Sequence, residues 1–295
     1  MLLNLTHAVG FGIVTASILA IATVALTMQY SVTNVPNFAQ GDIMTAGAFG
    51  AYSSQFLISN IFIQALFAMA VGAAIAFFLN WFLLQPFARR GAKPLILFVV
   101  TIAFAFVLEN TMLAIYGGSP VLYKLGDSPP HQIGPFLLTG RDLGIIAVAI
   151  VSLASVYIVL KYTRFGKAQR AVADSPDLAR VSGIDATRVV HLTMIWAGAM
   201  TGLAGYVLAA QVGAFTHTLG FTFLLVVFAA AVVGGIGQIN GAMLGALLLG
   251  IGMEVAALYI APDYKQTVAF VALVITILFR PDGIIPSPSR RAVQL

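Results

Sequence analysis

Three carboxylates in this sequence stand in or beside apolar runs: Asp42, Glu109 and Glu254. Asp42 closes a polar stretch at 29–42, QYSVTNVPNFAQGD, that also carries Asn34, Asn37 and Gln40. Glu109 sits beside Asn110, late in an apolar run at 95–116, and Glu254 lies within another at 241–260. A carboxylate in hydrocarbon is costly, so such groups usually face a protein interior or water and serve ion, proton or substrate paths. Glu109 is also about one or two turns from the end of its run, within reach of an interface. Pro36 interrupts any helix through the polar stretch, and Asp42 is placed to cap the helix that follows. Non-helical backbone at membrane depth must be buried in protein or line a cavity. The stretch therefore reads either as a broken helix lining a transport path or as a cytoplasmic loop.

Little else supports enzyme chemistry. The chain has no cysteine, which excludes disulfides, thiolate nucleophiles and cysteine-held metal sites. The four histidines, His7, His131, His191 and His217, are scattered. There is no G-x-x-x-x-G-K-[ST] phosphate loop, no H-E-x-x-H pair and no G-x-S-x-G elbow. No catalytic residue, metal or bound cofactor is expected in this chain.

The elements that must position these groups are apolar helices. Hydrophobic residues make up 60% of the chain and charged ones 8%, with a mean hydropathy of +0.98. A soluble domain carries about 25% charged residues, so lipid must solvate most of this chain. The net charge of +5 follows from membrane topology and does not point to nucleic acid. Spans of about 20 residues are expected at 10–28, 60–84, 95–116, 142–160, 191–211, 241–260 and 265–279. Two further apolar segments, 41–58 and 220–238, are broken and rich in small residues. The expected fold is all-α, one polytopic transmembrane bundle over 1–295 with about 8–9 spans, some broken or re-entrant. Gly198 to Gly202 and Gly241 to Gly245 are small-xxx-small motifs for close helix packing. The run Gly234-Gly235-Ile-Gly-Gln-Ile-Asn-Gly241 breaks a second helix, echoing the break near the N-terminus. Paired breaks suit a transporter built on a repeat, though glycine packing with no substrate role is the simpler explanation.

Charge sets the orientation. Twelve of the fifteen basic residues fall at 85–94, at 161–190 and in the tail beginning at Arg280 and including Arg290 and Arg291. These regions, with the C-terminus, are expected to be cytoplasmic. Residues 1–9 lack Lys and Arg, so 10–28 reads as a retained helix rather than a cleaved signal. The side of the N-terminus depends on whether 41–58 crosses. The loop 117–141, with Pro120, Pro129, Pro130 and Pro135, is too irregular to span and offers an external contact surface.

The loop 161–190 is longer than the usual helix connection of about 2–8 residues. Ser175-Pro176-Asp177 has the form of a helix start, and Gly183 suits a stop. Leu178 and Val181 share one face, as do Ala168, Ala171 and Val172 in the segment before. Two short amphipathic helices are expected, fitted either to a soluble partner or to anionic lipid.

Four ordered segments carry a family resemblance. Asn37-Phe-Ala-Gln-Gly-Asp42 with Gly47-Ala-Phe-Gly-Ala-Tyr52 resembles an "NFAHGE…GAY" stretch, with Gln40 and Asp42 in place of the usual His and Glu. Arg170-Ala-Val-Ala-Asp-Ser-Pro-Asp-Leu-Ala-Arg-Val-Ser-Gly183-Ile184 resembles a cytoplasmic "RA…D…A…GI" motif. Phe228 to Gly245 is similar to an "AAAVLGG…GA..G" block, and Phe279-Arg-Pro-Asp-Gly283 to a closing "FRPQG". Together they resemble the permease subunits of branched-chain amino-acid ABC transporters.

That resemblance implies a pore-forming half of an importer in a prokaryotic inner membrane, working by alternating access. The implied partners are a second homologous permease, two ATP-binding subunits that use the ATP, and an extracytoplasmic substrate-binding protein, with membrane lipid around them. Coupling to the ATPase would fall to Arg170, Ala171, Asp174, Pro176, Leu178, Ala179, Gly183 and Ile184. The translocation path would draw on Asn37, Gln40, Asp42, Glu109, Asn110, Gly234, Gly235 and Glu254. Other readings are an ion-coupled secondary transporter with Glu109 or Glu254 as proton site, a passive channel, or a permease for urea or short amides.

Overall fold

A computed structural model describes residues 2–56, 60–123, 129–133, 136–261 and 264–285. The tail arginines Arg290 and Arg291 and loop residue Pro135 lie outside the described residues. The helices are α1 (Leu2–Thr33), α2 (Gln40–Ser54), α3 (Ile61–Phe78), α4 (Gln85–Arg89), α5 (Pro94–Tyr116) and α6 (Gly140–Tyr162). They continue with α7 (Arg164–Asp174), α8 (Pro176–Val181), α9 (Ala186–Val212), α10 (Leu219–Gly234), α11 (Ile239–Ala256) and α12 (Lys265–Phe279). A π-helical turn, Leu79–Leu84, joins α3 to α4.

Among the described residues, six helical segments are long and apolar enough to cross a membrane: α1, α3 through α4, α5, α6, α9 and α11. This is an integral membrane protein with an all-α polytopic core. Length confirms six of the expected spans and not the full 8–9. The helices α2, α10 and α12 have 15, 16 and 15 residues. At a rise of about 1.5 Å per residue these fall short of a hydrocarbon core about 30 Å thick. The loop expected to be irregular holds short strands. β2 (Pro130–Ile133) pairs antiparallel with β3 (Phe136–Thr139), and β1 (Val121–Leu122) with β4 (Ala214–Phe215).

The chain clusters into two compact units. The first comprises residues 1–27, 124–153 and 225–295, and the second comprises 28–123 and 154–224.

In the second unit α2, α3 and α9 meet almost backbone to backbone. Gly47 faces Gly202, Gly72 faces Gly198, and Gly205 faces the Met44 carbonyl. The small residues at 198–202 thus act as the packing motif their spacing suggests. α9 is largely buried, whereas α3 through α4 is mostly uncovered and its outer side is left for lipid. A side-chain carbon on Gly202 would meet the Ala68 carbonyl and come within 3.2 Å of Gly72 Cα. Gly202→Val is therefore expected to cost about 3 kcal/mol or more, because neither backbone can retreat. The measurement is the yield of monodisperse protein after detergent extraction, with little or none expected.

The π turn has a local cause. Pro86 lacks an N–H, and its ring would strike the carbonyl of Phe82 in a regular helix. The Gln85 N–H reaches back five residues to the Asn80 carbonyl, widening the turn.

In the first unit α10 and α11 form a hairpin around Gly234–Gly241. Gly241 packs on the Gly234 carbonyl, and Gly245 on Ala230 and Gly234. Gly235 adopts φ 110°, which a side chain disfavours. The segment after α12 straps the end of α10: Ile284 N–H donates to Val233 O and Ile285 N–H to Gly234 O, both at 3.0 Å. The residues directly after the closing Phe279–Gly283 motif therefore clasp the glycine block, and Gly283 itself packs against Gly235.

Candidate functional site

The polar break is shorter than its sequence suggests. α1 runs through Gln29-Tyr-Ser-Val-Thr33, and only residues 34–39 are non-helical before α2 starts at Gln40. Asn34, at φ 52°, turns the chain. Three amides of the turn find acceptors close by in the chain or on α5. Asn34 N–H donates to Tyr30 O (2.8 Å), Phe38 N–H to Thr101 Oγ1 (3.1 Å) and Ala39 N–H to Asn37 Oδ1 (3.1 Å). The chain can leave helical geometry here because side chains replace the lost backbone bonds. Asp42 does not cap α2; the helix begins earlier, with Ala39 at the cap position, and Asp42 lies inside the first turn.

Around this turn the second unit buries a belt of polar groups. Gln29, Asn37, Gln40, Asp42, Thr45 and Thr201 are each no more than 3% exposed. Asn37 Nδ2 donates to Gln29 Oε1 (2.7 Å), and Gln40 Nε2 donates to Thr201 Oγ1 (2.7 Å). Thr45 Oγ1 accepts from the Gly220 N–H at the start of α10 (2.9 Å). Among the described residues of the belt, Asp42 Oδ1, an acceptor, and Gln29 Nε2, a donor, are buried without a hydrogen-bond partner. Twelve of the fifteen residues of α2 are buried, so the helix is sheltered by protein on nearly every side. That resolves how a short helix with a carboxylate sits in an apolar protein.

Of the expected path residues, the second unit brings Asn37, Gln40 and Asp42 together. Glu109 is half-buried and acts electrostatically on Asp42. Asn110 is not in the belt; it is exposed and its Nδ2 donates to Phe106 O within α5 (2.8 Å). Gly234, Gly235 and Glu254 belong to the first unit. Gln29, Thr45, Thr101 and Thr201 escape sequence reasoning, although Gln29 opens the polar stretch and Thr201 lies inside a glycine motif. At the far end of α2, Phe49 stacks on Tyr116 with ring centroids 4.1 Å apart, and Ser53 and Tyr116 share a 2.6 Å hydrogen bond.

Glu254 has partners. Its Oε2 pairs with Lys265 Nζ at 2.7 Å and its Oε1 accepts from Thr15 Oγ1 at 3.0 Å. Both carboxylate oxygens are engaged, which gives the residue a structural task joining α11, α12 and α1. Glu254→Gln alone leaves the Lys265 ammonium without its partner in a half-buried place and is expected to cost about 2 kcal/mol. Adding Lys265→Met removes the orphaned charge and should recover most of that loss. Thermal melts of the two single variants and the double variant check this; additive losses would mean that the pair carries no weight.

The loop 161–190 forms the two predicted helices. Ser175 Oγ accepts from Leu178 N–H as the cap of α8, Pro176 occupies the first helical position, and Gly183 follows the end at φ 81°. The faces are not equivalent. In α7, Val172 is buried against Val32, Ala179, Ala186 and Val189, with Ala168, Ala171 and Ile184 packed around them. That face is spent on the protein itself and is not free to dock. Arg170 donates a short hydrogen bond to the Leu160 carbonyl, tying α7 to the end of α6. What remains outward is the other face: Asp174 is exposed, Leu178 is 69% exposed and Val181 is 88% exposed. Val32 lies in the last turn of α1, directly before the break, so the same cluster holds α7, α8 and the approach to Asn37.

The basic loops also converge. Arg89 of the 85–94 loop and Arg180 of the 161–190 loop line one cavity of about 300 Å³, with Val32, Val35, Val172 and His191. Two loops assigned to one side of the membrane by charge therefore lie at one end of the second unit.

Comparison with known proteins follows this geometry. A family model described as "Branched-chain amino acid transport system / permease component" matches residues 8–277. The high-affinity branched-chain amino acid transport system permease protein LivH of Escherichia coli K12 is 30% identical over 295 residues, covering 94% of each chain. BraD of Pseudomonas aeruginosa, which bears the same description, is 28% identical, again over 94% of each chain. The probable branched-chain amino acid transport permease protein LivH of Methanocaldococcus jannaschii is 29% identical over 92% of this chain and 90% of that one. These relatives are transport components and not enzymes. With the match running from within α1 into α12, and thus across the turn, the 161–190 loop and the glycine block, this chain belongs to the family of branched-chain amino acid transport permease components.

Proposed function

We propose that this chain is a membrane-spanning subunit of an ABC importer in a prokaryotic inner membrane, moving branched-chain or closely related amino acids by alternating access. A second homologous permease completes the pore. Two ATP-binding subunits engage the face holding α7 and α8, and an extracytoplasmic binding protein delivers the substrate. The observation that carries this reading is the two-sided packing of 164–184. One face is locked to Val32 and the start of α9, and the other presents Leu178 and Val181 to the outside. An element built this way passes an external push inward with little slack, because packed interiors are stiff.

The push reaches the turn at 34–39 through Val32, and so the belt containing Gln29, Asn37, Gln40 and Asp42. Asp42 Oδ1 and Gln29 Nε2 are an unpaired acceptor and an unpaired donor. The ammonium and carboxylate of an amino acid call for one of each. Binding in such a dry site is strong per contact, and release needs the belt to open and hydrate. Glu109 adjusts the field at Asp42. Gly234 and Gly235 let the α10–α11 hairpin bend.

The deciding test is reconstitution of the chain with and without its ATP-binding partners. Leucine uptake is expected only with partners, binding protein and ATP. Uptake driven by an ion gradient with no ATPase present would sink this reading and favour a secondary transporter.

A further inference from the structure

Beside the coupling helices, the second unit has an open groove of about 760 Å³ between the α3–α4 segment and the first turns of α9. One end is basic, with Arg89, Arg90 and Arg188. The opposing acid is Asp185, whose Oδ1 already accepts from the Arg188 backbone N–H as a helix cap (3.0 Å). No ion pair involving Arg89, Arg90 or Arg188 occurs among the described residues. The other end is apolar, lined by Phe77, Trp81, Leu192 and Ile195. Trp81 is 50% exposed and Leu192 is 44% exposed.

The two ends are joined by an ordered polar hinge. Asn80 Nδ2 bonds His191 Nδ1 at 2.7 Å, and His191 Nε2 bonds Gln85 Oε1 at 3.0 Å. The wall is thus fixed across the π turn. Phe77, Trp81, Gln85 and Arg89 are spaced four residues apart, so one face of the helix runs from aromatic to cationic. Arg89 lies about two turns along the axis from Trp81 and about three from Phe77. That separation matches a phosphate at the interface and acyl carbons below it. A soluble subunit reaches the arginines and not the apolar half, which belongs to helices of spanning length. An amphiphile satisfies both.

We propose that this groove is a binding site for one anionic glycerophospholipid of the adjacent leaflet. The phosphodiester is held by Arg89, Arg90 and Arg188, and an acyl chain lies against Trp81, Phe77 and Leu192. Guanidinium groups suit this task because they bind phosphate oxygens in pairs, and basic pockets between helices recognise anionic headgroups in this way. Indole at the boundary between headgroup and hydrocarbon supports the same placement.

The sequence supplies a reporter, since Trp81 and Trp196 are its two tryptophans. The full chain carrying Trp196→Phe is placed in bilayers with lipids brominated on the acyl chain, and quenching of Trp81 is followed. Brominated phosphatidylglycerol is expected to reach half-maximal quenching at a mole fraction about fivefold lower than brominated phosphatidylcholine. The variant Arg89→Gln/Arg90→Gln/Arg188→Gln should merge the two curves. Lys93→Gln/Lys161→Gln/Arg164→Gln, which removes the same charge elsewhere, should leave them apart. Coincident curves with all arginines present overturn the site. Equal loss of preference in both triple variants reduces it to general surface charge and overturns it too. If excess inorganic phosphate erases the preference, the ligand is a free anion and not a lipid. Should the arginine variant fail to fold, the Lys93→Gln/Lys161→Gln/Arg164→Gln variant still decides: a preference kept there supports the site, and a preference lost there overturns it.

Discussion

Leu178→Asp combined with Val181→Asp is expected to cut ATP-driven uptake by at least about a hundredfold, while the protein alone melts within a degree or two of the parent. The size follows from burying two carboxylates in an apolar contact, a loss of about 3 kcal/mol or more at a well-packed interface. Stability should hold because the two side chains are 69% and 88% exposed and do not belong to the cluster around Val172. Substitutions at exposed sites usually stay within about 0.5 kcal/mol. Co-purification of the ATP-binding subunits with the double variant is the direct measurement, with uptake as the second readout. Normal co-purification would show that α8 is not the contact. The matching change on the inner face, Val172→Asp, should do the reverse: it buries a charge in the protein's own core and destroys the fold before coupling can be tested.

Asp42→Asn is expected to abolish most substrate movement and to leave the protein as stable as the parent, or slightly more so. Its Oδ1 lacks a partner in a setting 1% exposed to solvent, so a neutral amide of equal size relieves a desolvation cost. A residue whose loss stabilises while activity falls is one held for function. The expected fall in uptake is about tenfold to a hundredfold, the range for removing one charged contact of about 1.5–3 kcal/mol. Melting temperature and initial uptake rate should be measured on the same preparation. A variant that transports normally would remove Asp42 from the path, and one that fails to fold would make its role structural.

The helix-forming segments were largely legible from hydrophobic runs and charge placement, because those signals are local. The caps of α8 were legible for the same reason: Ser175, Pro176 and Gly183 act on their own neighbours. The limits of α1 were not. Gln29 through Thr33 are polar enough to suggest a loop, yet they stay helical because Asn37 folds back onto Gln29 and the hydrophobic cluster holds Val32. The belt was half legible. Asn37, Gln40 and Asp42 share a stretch of sequence, whereas Thr201 joins them across 161 positions, which no periodicity reports. The amphipathic faces of the 161–190 loop were visible as stripes. Which stripe the protein keeps and which it offers outward depends on Val32, Ala186 and Val189, all distant or on another element. Glu254 drew attention as an isolated charge in an apolar run. Its partner Lys265 starts the next helix, and an ion pair across a turn is invisible when each helix is judged by hydropathy alone.

The shelter of α2 also bears on how the protein is made. Its closest packing partner, the Gly202 face of α9, is synthesised about 155 residues after Gly47. At about 5–20 residues per second the ribosome needs roughly 8–30 s to supply it. During that interval a short helix carrying Asp42 has neither the length nor the apolarity to settle in lipid unaided. The α2 segment must wait at the membrane surface or inside the insertion machinery until α9 arrives. Chains truncated ahead of α9 should therefore be recognised as unfinished by membrane proteases, even though α1, α3 and α5 have already crossed.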